Sequence, residues 1–341
     1  MKPWELHSHR SIFKRHRIKC LLMDHRIVCF MPSYNLFSQG YPFLEVIYSS
    51  LFVCDKMYIF DGSSDETSKI LSMLRNERIK IARMEWNFTQ RNTRRGEVIA
   101  EMSNRMIDQI IRIEKENISK TFIYYIQANE VFHEDTYAQI RSIPDAYPGY
   151  RGYLLYYYGF YGHILRGEQF RLRMAPLSKN VRAIHDGWTL NVFGGFLESL
   201  KRTIRHEAGM LLRYGKLNDF LWIGNAMYRY VYTKKPIFRY SLIFRNIVAK
   251  KIQTHKIMFK SGAFEQLLDV STLDSISDDQ FWMELVKIST KVQGKGKKEF
   301  PQLNVSLDEH PKIMRDILGQ REYKIREEIV KEINTLSDIS N

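Results

Sequence analysis

Residues 53–70 read VCDKMYIFDGSSDETSKI. The apolar run Met57-Tyr58-Ile59-Phe60 has the length and composition of a short buried strand. It runs into Asp61-Gly62-Ser63-Ser64-Asp65-Glu66-Thr67, and a helical pattern begins at Lys69-Ile70-Leu71. A strand ending in an acid, a tight Gly/Ser turn and a capped helix form a crevice at the carboxyl end of a parallel sheet, where open α/β sheets take their ligands. Ser63 or Ser64 is placed to cap the helix, and Asp65 and Glu66 suit the positive end of its dipole. Asp61 then has no capping duty and is left at the strand tip to accept hydrogen bonds from a ribose or a base. A plain strand-turn-helix connection fits the same letters, so the neighbouring segments decide.

Upstream, Arg26-Ile27-Val28-Cys29-Phe30-Met31 reads as a strand followed by Pro32-Ser33-Tyr34-Asn35. A helical stretch over 44–51 and Asp55 then lead to the next strand, which completes a βαβ unit. Downstream, the aromatic run Thr121-Phe122-Ile123-Tyr124-Tyr125-Ile126 is a third strand, ending in Gln127-Ala128-Asn129-Glu130-Val131.

With these three stretches on the page, the chain resembles the family 2 glycosyltransferases. Their GT-A fold opens with a strand, P-x-Y-N, a helix, x-D, a strand and D-G-S-S-D-x-T. One subgroup reads Q-A-D-E-V at the end of its central strand, where this chain reads QANEV. Leu36 replaces the glutamate that often follows Asn35 in the family. The subgroup also carries a histidine near a glycine late in the domain and a His-Pro pair, for which His206 and His310-Pro311 stand here. The resemblance spans roughly residues 26–317, strong at its start and faint later.

It implies a Rossmann-like α/β fold with a mostly parallel sheet and helices on both faces, and inverting transfer of a sugar from a nucleotide-sugar donor to an acceptor hydroxyl. The acceptor would be a glycan, a protein or a lipid-linked molecule. Pro32, Ser33, Tyr34, Asn35, Asp61 and Gln127 fall where the nucleotide sugar binds. Asn129, Glu130 and His206 are the candidate ligands for Mn²⁺ or Mg²⁺ on the diphosphate. Asn129 stands where the subgroup has aspartate, and an amide oxygen binds such ions without bringing charge, which leaves metal dependence open. Arg94 and Arg95, before a long helix, offer direct phosphate contacts. Asp186, in His185-Asp186-Gly187-Trp188, is the candidate base, with an Asx-turn as the other reading. Arg171 and Arg173 alternate with apolar residues as on an edge strand.

Two other functions fit parts of the pattern. Asn129 and Leu36 suit a binding protein that keeps the fold without catalysis. A nucleotidyltransferase on a related sheet is disfavoured by the lack of a Gly-rich phosphate loop with a lysine.

Composition agrees with an anionic partner. The 341 residues carry a formal net charge of +14, which favours nucleotide diphosphates, phosphorylated carriers or an anionic membrane surface. No basic cluster is long enough for a nucleic-acid arm. The apolar and basic residues between Arg239 and Lys260 would suit a helix lying on a membrane, or one packed on the domain. Cys20, Cys29 and Cys54 form no metal spacing or disulfide framework, and Cys29 and Cys54 read as buried thiols, which suits a reducing cytosol. The start of the chain lacks the apolar core of a signal peptide, and no run of 18 apolar residues occurs; a cytoplasmic protein, soluble or peripheral at a membrane, is expected.

Strands are expected at 27–31, 57–60, 79–84 and 121–127, and helices at 42–52, 64–75 and 96–114. The division expected is a basic lead-in at 1–25, the main domain at 26–317 and a C-terminal helical appendage at 318–341.

Overall fold

The computed structural model describes residues 25–88, 97–184, 187, 189–192, 228–248, 276–292 and 305–336. The chain opens with β1 (Arg26–Ser33), α1 (Phe43–Ser50), β2 (Lys56–Asp61), α2 (Thr67–Ser72) and β3 (Ile79–Arg83). The long helix α3 (Glu97–Ile113) leads to β4 (Thr121–Tyr125) and the short β5 (Glu130–Val131). After α4 (Tyr137–Arg141) and α5 (Ile143–Ala146) come the long strands β6 (Gly152–Tyr161) and β7 (Ile164–Pro176). Next are β8 (Val181–Ile184), β9 (Thr189–Val192), β10 (Tyr228–Val231) and β11 (Ile237–Leu242). Helices α6 (Asp278–Val292), α7 (Lys312–Arg315) and α8 (Glu327–Thr335) complete the described elements.

The main sheet runs β3-β2-β1-β4-β7-β6-β11-β5, with β10 also beside β6. Five of its eight pairings are parallel. This is the mostly parallel, GT-A-like α/β architecture expected. Strands β8 and β9 form a separate antiparallel pair.

Strands β1 and β2 are buried on both faces, which is why they read as continuous apolar runs rather than alternating ones. Ile27, Cys29 and Met31 of β1 join one core with α1, α2 and the C-terminal residues. Val28 and Phe30 join a second core with Val98, Met102, Met106, Ile107 and Ile110 of α3. Val98, Met102, Met106, Ile107 and Ile110 thus form an apolar stripe that is the buried face of α3, while Ile113 is exposed.

Two expectations change and one open choice narrows. Cys29 and Cys54 are not thiols but a disulfide, with α-carbons 5.7 Å apart. Parallel pairing of β1 and β2 brings together two residues 25 apart in sequence, and the argument for a reducing compartment loses its basis. Arg171 and Arg173 are not on an edge: β7 lies between β4 and β6, and both residues are buried. Leu242, Ile243, Phe244 and Val248 are buried in the protein rather than offered to a membrane; residues 249–260 of that stretch lie outside the described residues. No described helix is long and apolar enough to cross a membrane.

The C-terminal helix α8 is stitched to the first α/β unit. Asn76 Nδ2 donates to the carbonyls of Ile333 and Leu336 at 2.7 and 2.9 Å, and Ile329, Val330 and Ile333 share the core of β1 and α1. Nearby, the Tyr323 hydroxyl donates to Glu45 Oε2 at 3.0 Å. Burial pushes the Glu45 carboxyl up from 4.5 to about 7. Between these values the folded chain holds a proton that the unfolded chain has released. The stability from this site is thus fully present below about pH 4.5 and is lost as pH rises through about 7. Glu45→Gln should remove this dependence, stabilising the protein by about 2–3 kcal/mol at pH 8 and by much less at pH 5. Thermal unfolding of both proteins across that range checks the sign.

Candidate functional site

At the carboxyl ends of β1 and β2, parallel pairing sets Ser33 opposite Asp61, and the Ser33 hydroxyl donates to Asp61 Oδ1 at 2.8 Å. Beyond the strands, side chains take over the bonding that the sheet no longer provides. The Asn35 N–H donates to Ser63 Oγ at 2.7 Å, and the Ser64 N–H donates to Asn35 Oδ1 at 2.8 Å. The Phe37 N–H donates to Thr67 Oγ1 at 2.9 Å, and the Ser38 N–H to Asp65 Oδ2 at 2.8 Å. Asn35 holds φ at 51°, a left-handed conformation that asparagine tolerates better than most residues.

Asp61 is the hub of this lacing and is not free for a ribose or a base. Besides Ser33, its carboxylate accepts from the Ser63 N–H at 3.1 Å, from the Ser63 hydroxyl at 2.6 Å and from the Ser68 hydroxyl. Arg83 Nη1 lies 3.3 Å away, and Asp61 is only 4% exposed. The helix begins at Thr67, so neither Ser63 nor Ser64 is its cap. Asp65 Oδ1 instead accepts from the Thr67 N–H at 3.0 Å. Four serine and aspartate side chains that read as cap and ligand contacts are spent shaping the crevice wall.

Next to this turn stands an aromatic cluster that the sequence reading missed. The Tyr34 ring centroid is 5.2 Å from that of Trp86 and 4.9 Å from that of Phe88. Trp86 packs so closely on Gly62 that any side chain there would collide with the indole. Its Nε1 is buried without a hydrogen-bond partner among the described residues, while Phe88 is 40% exposed. A usable signal was present: β3 neighbours β2, so Trp86 and Phe88 follow a third strand tip in the same row. Pro32, the remaining candidate here, is half-buried within β1.

On the other side of β1, the β4 tip carries the opposite chemistry. Glu130 is 1% exposed. Its Oε1 meets Arg173 Nη2 at 2.5 Å and Arg171 Nη1 at 3.8 Å, and its Oε2 accepts from the Gln127 N–H at 3.1 Å. Arg239 of β11 is registered directly across from Glu130. Gln127 Oε1 lies within reach of two guanidiniums, 3.5 Å from Arg171 Nη1 and 3.4 Å from Arg239 Nε. Burial, and then the neighbouring guanidiniums, pull Arg171 well below the ordinary arginine range. Arg239 is lowered by burial and by Arg166 and Arg173, against the pull of Glu130. For Arg173, burial is the largest single cause and opposes the charge, but Glu130 together with Tyr157, Tyr125 and Tyr124 outweighs it, and the net shift is upward.

This arrangement does not fit a divalent cation. Glu130 is already engaged by Arg173, and Asn129 Oδ1, buried without a hydrogen-bond partner among the described residues, is a neutral ligand. A dication placed there would face Arg171, Arg173 and Arg239 at close range. Among the described residues no three His, Cys, Asp or Glu side chains gather into a metal-binding group.

Arg94, Arg95, Asp186 and His206 lie outside the described residues. Gly187, next to Asp186, is described: its carbonyl accepts from Gln127 Nε2 at 3.3 Å, so the chain passes the β4 tip there. His310 is structural. It is fully buried, shares a 2.8 Å hydrogen bond with the Tyr240 hydroxyl, and is held neutral by burial, which pushes its pKa down to about 4.

No protein-family profile matches the sequence, and no curated protein matches it. Among solved structures the chain is similar to TarS of S. aureus, over a fragment in complex with UDP-GlcNAc, at 13% identity, covering 40% of this chain and 34% of that one, with a TM-score of 0.26. A further S. aureus TarS structure aligns at 13% identity over 83% of this chain and 46% of that one, TM-score 0.35. The glycosyltransferase GlyE of Streptococcus pneumoniae TIGR4, in its apo form, aligns at 12% identity over 61% and 45%, TM-score 0.28. The chain spans less than half the length of each of these structures.

Because Asp61 holds three serine hydroxyls, Asp61→Ala should act first on stability. Leaving those groups without their acceptor should cost about 3 kcal/mol, read as a lower urea midpoint in equilibrium unfolding. An unchanged midpoint would show that the lacing contributes little.

Proposed function

We propose that the chain is a glycosyltransferase that takes its sugar from a nucleotide-activated donor. The observation that carries this reading is the order of surfaces along one sheet edge. An aromatic cluster lies at the β1 and β3 tips, a turn rich in backbone and hydroxyl groups at β2, and a guanidinium cluster at β4, β7 and β11. A nucleoside diphosphate has the same two parts: a base that stacks on one side and an anionic diphosphate on the other.

In the proposed reaction the bond from the anomeric carbon to the diphosphate oxygen breaks, and its electron pair leaves with the nucleoside diphosphate. The acceptor oxygen bonds to the opposite face of that carbon, with inversion. The acceptor's proton passes to a carboxylate, the role the sequence assigns to Asp186. Catalysis then rests on alignment and on electrostatic stabilisation of the departing diphosphate. A fold that binds the donor without transferring is the second reading, favoured by the engagement of Glu130 with Arg173.

Tyr34→Ala should weaken nucleoside diphosphate binding while leaving inorganic pyrophosphate binding unchanged. A stacked base is worth about 1–3 kcal/mol, so calorimetry should show an affinity loss of roughly fivefold to a hundredfold. Slow release of free sugar from a panel of nucleotide sugars would separate a transferase from a binder. Equal loss for both ligands would remove the aromatic cluster from the site.

A further inference from the structure

We infer that the Arg171–Arg173–Arg239 cluster neutralises the donor diphosphate itself, in the position where the resembled family uses a divalent cation. This inference rests on the nucleotide-donor reading above.

Three observations carry it. First, the local charge is positive rather than negative. Arg171 and Arg173, two apart on β7, present guanidiniums to the same place, and Arg239 arrives from β11 opposite Glu130. Glu130 is the carboxylate whose field reaches all three among the described residues. Second, donors remain available for a ligand. Arg173 is fully buried, yet its Nε and Nη1 have no hydrogen-bond partner among the described residues. Arg239 is only half-buried, which makes it the most exposed member of the cluster. Third, the sheet beside it is bare of side chains. Arg239 pairs with Gly159 of β6, and Gly159 pairs with Gly167 of β7, so two adjacent sheet positions carry no side chain. A Cβ built on Gly159 would meet no heavy atom closer than 3.6 Å.

Guanidiniums suit this task. They present planar pairs of donors that match phosphate oxygens, and they keep their charge across the physiological range. Glu130 then has a different duty from a metal ligand. It offsets part of the charge and fixes Arg173, while Gln127 Oε1 sits between Arg171 and Arg239. The phosphate oxygens would replace water at Arg239 and add the anionic charge that the cluster lacks.

The test is calorimetric binding of uridine, adenosine, guanosine and cytidine diphosphates to the full chain, in excess chelator and in Mn²⁺. Arg239→Gln and Arg239→Lys are compared with the parent. Arg239 is the variant position because its partial exposure lets the fold survive its loss, which circular dichroism verifies. The inference expects at least one nucleoside diphosphate to bind in chelator. It expects Arg239→Gln to weaken that binding about tenfold to a hundredfold, and Arg239→Lys to restore part of it. Binding that appears only with Mn²⁺ and ignores Arg239→Gln would overturn the inference while leaving the nucleotide-donor reading intact. If none of the four diphosphates binds in either condition, the nucleotide-donor reading fails and this inference fails with it.

Discussion

One buried carboxylate, Glu130, must answer for several guanidiniums, and much of the molecule is arranged around that constraint. An isolated ion cannot be taken out of water cheaply, and a buried pair repays the cost only with close geometry and further hydrogen bonds. The structure meets the requirement of close geometry for Arg173, which touches Glu130 at 2.5 Å and lies 4.5 Å from the centre of the Tyr125 ring. It meets it less fully for Arg171 and Arg239. The register of β5 on β11 and the position of β7 beside β4 are what bring these charges to one point. β7, inserted antiparallel, and β11 therefore do more than enlarge the sheet: they carry the cations to the tip of β4.

The other half of the crevice is built without net charge transfer. Hydroxyls and backbone N–H groups of the β1 and β2 loops lace onto each other through Ser33, Asn35, Asp61 and Asp65. Such loops would otherwise leave polar groups competing for water and would not hold a fixed shape. With the lacing closed, Tyr34 is held against Trp86 and Phe88. The cationic cluster and the aromatic cluster stand on either side of β1 because β1 is hydrogen-bonded to both β2 and β4.

The fold was largely legible in the sequence and the site only in part, for identifiable reasons. Runs such as Met57–Phe60 and Thr121–Tyr125 are apolar on both faces, and that pattern leaves little choice but interior parallel strands. The stripe on α3 is likewise a local property of its own residues. The lacing by Asp61 was misread because a carboxylate at a strand tip looks the same in sequence whether it faces a ligand or three serines. The arginines were misread because Phe170-Arg171-Leu172-Arg173 has the alternation of an edge strand. Only strand order, a long-range property, reveals that β7 is interior. The Cys29–Cys54 bond was missed for the same reason, since it depends on which strands become neighbours. Trp86 and Phe88 were reachable by following the tip of β3 as the tips of β1 and β2 had been followed.

The excess of guanidinium over carboxylate at the β4 tip has a thermodynamic consequence that separates it from a metal centre. A metal site built of carboxylates is short of positive charge when empty, and its ion must come from solution at whatever concentration the compartment supplies. A guanidinium site carries its cations in the chain and bears mutual repulsion when empty. Folding must overcome the burial of these charges first and that repulsion second, as the lowered Arg171 and Arg239 reflect. An anion that binds there relieves it. Ligand affinity and fold stability are thereby coupled, because whatever binds only the folded state stabilises it by mass action. A chain built this way would give up some stability when empty in exchange for an anion site whose charge does not depend on ambient metal.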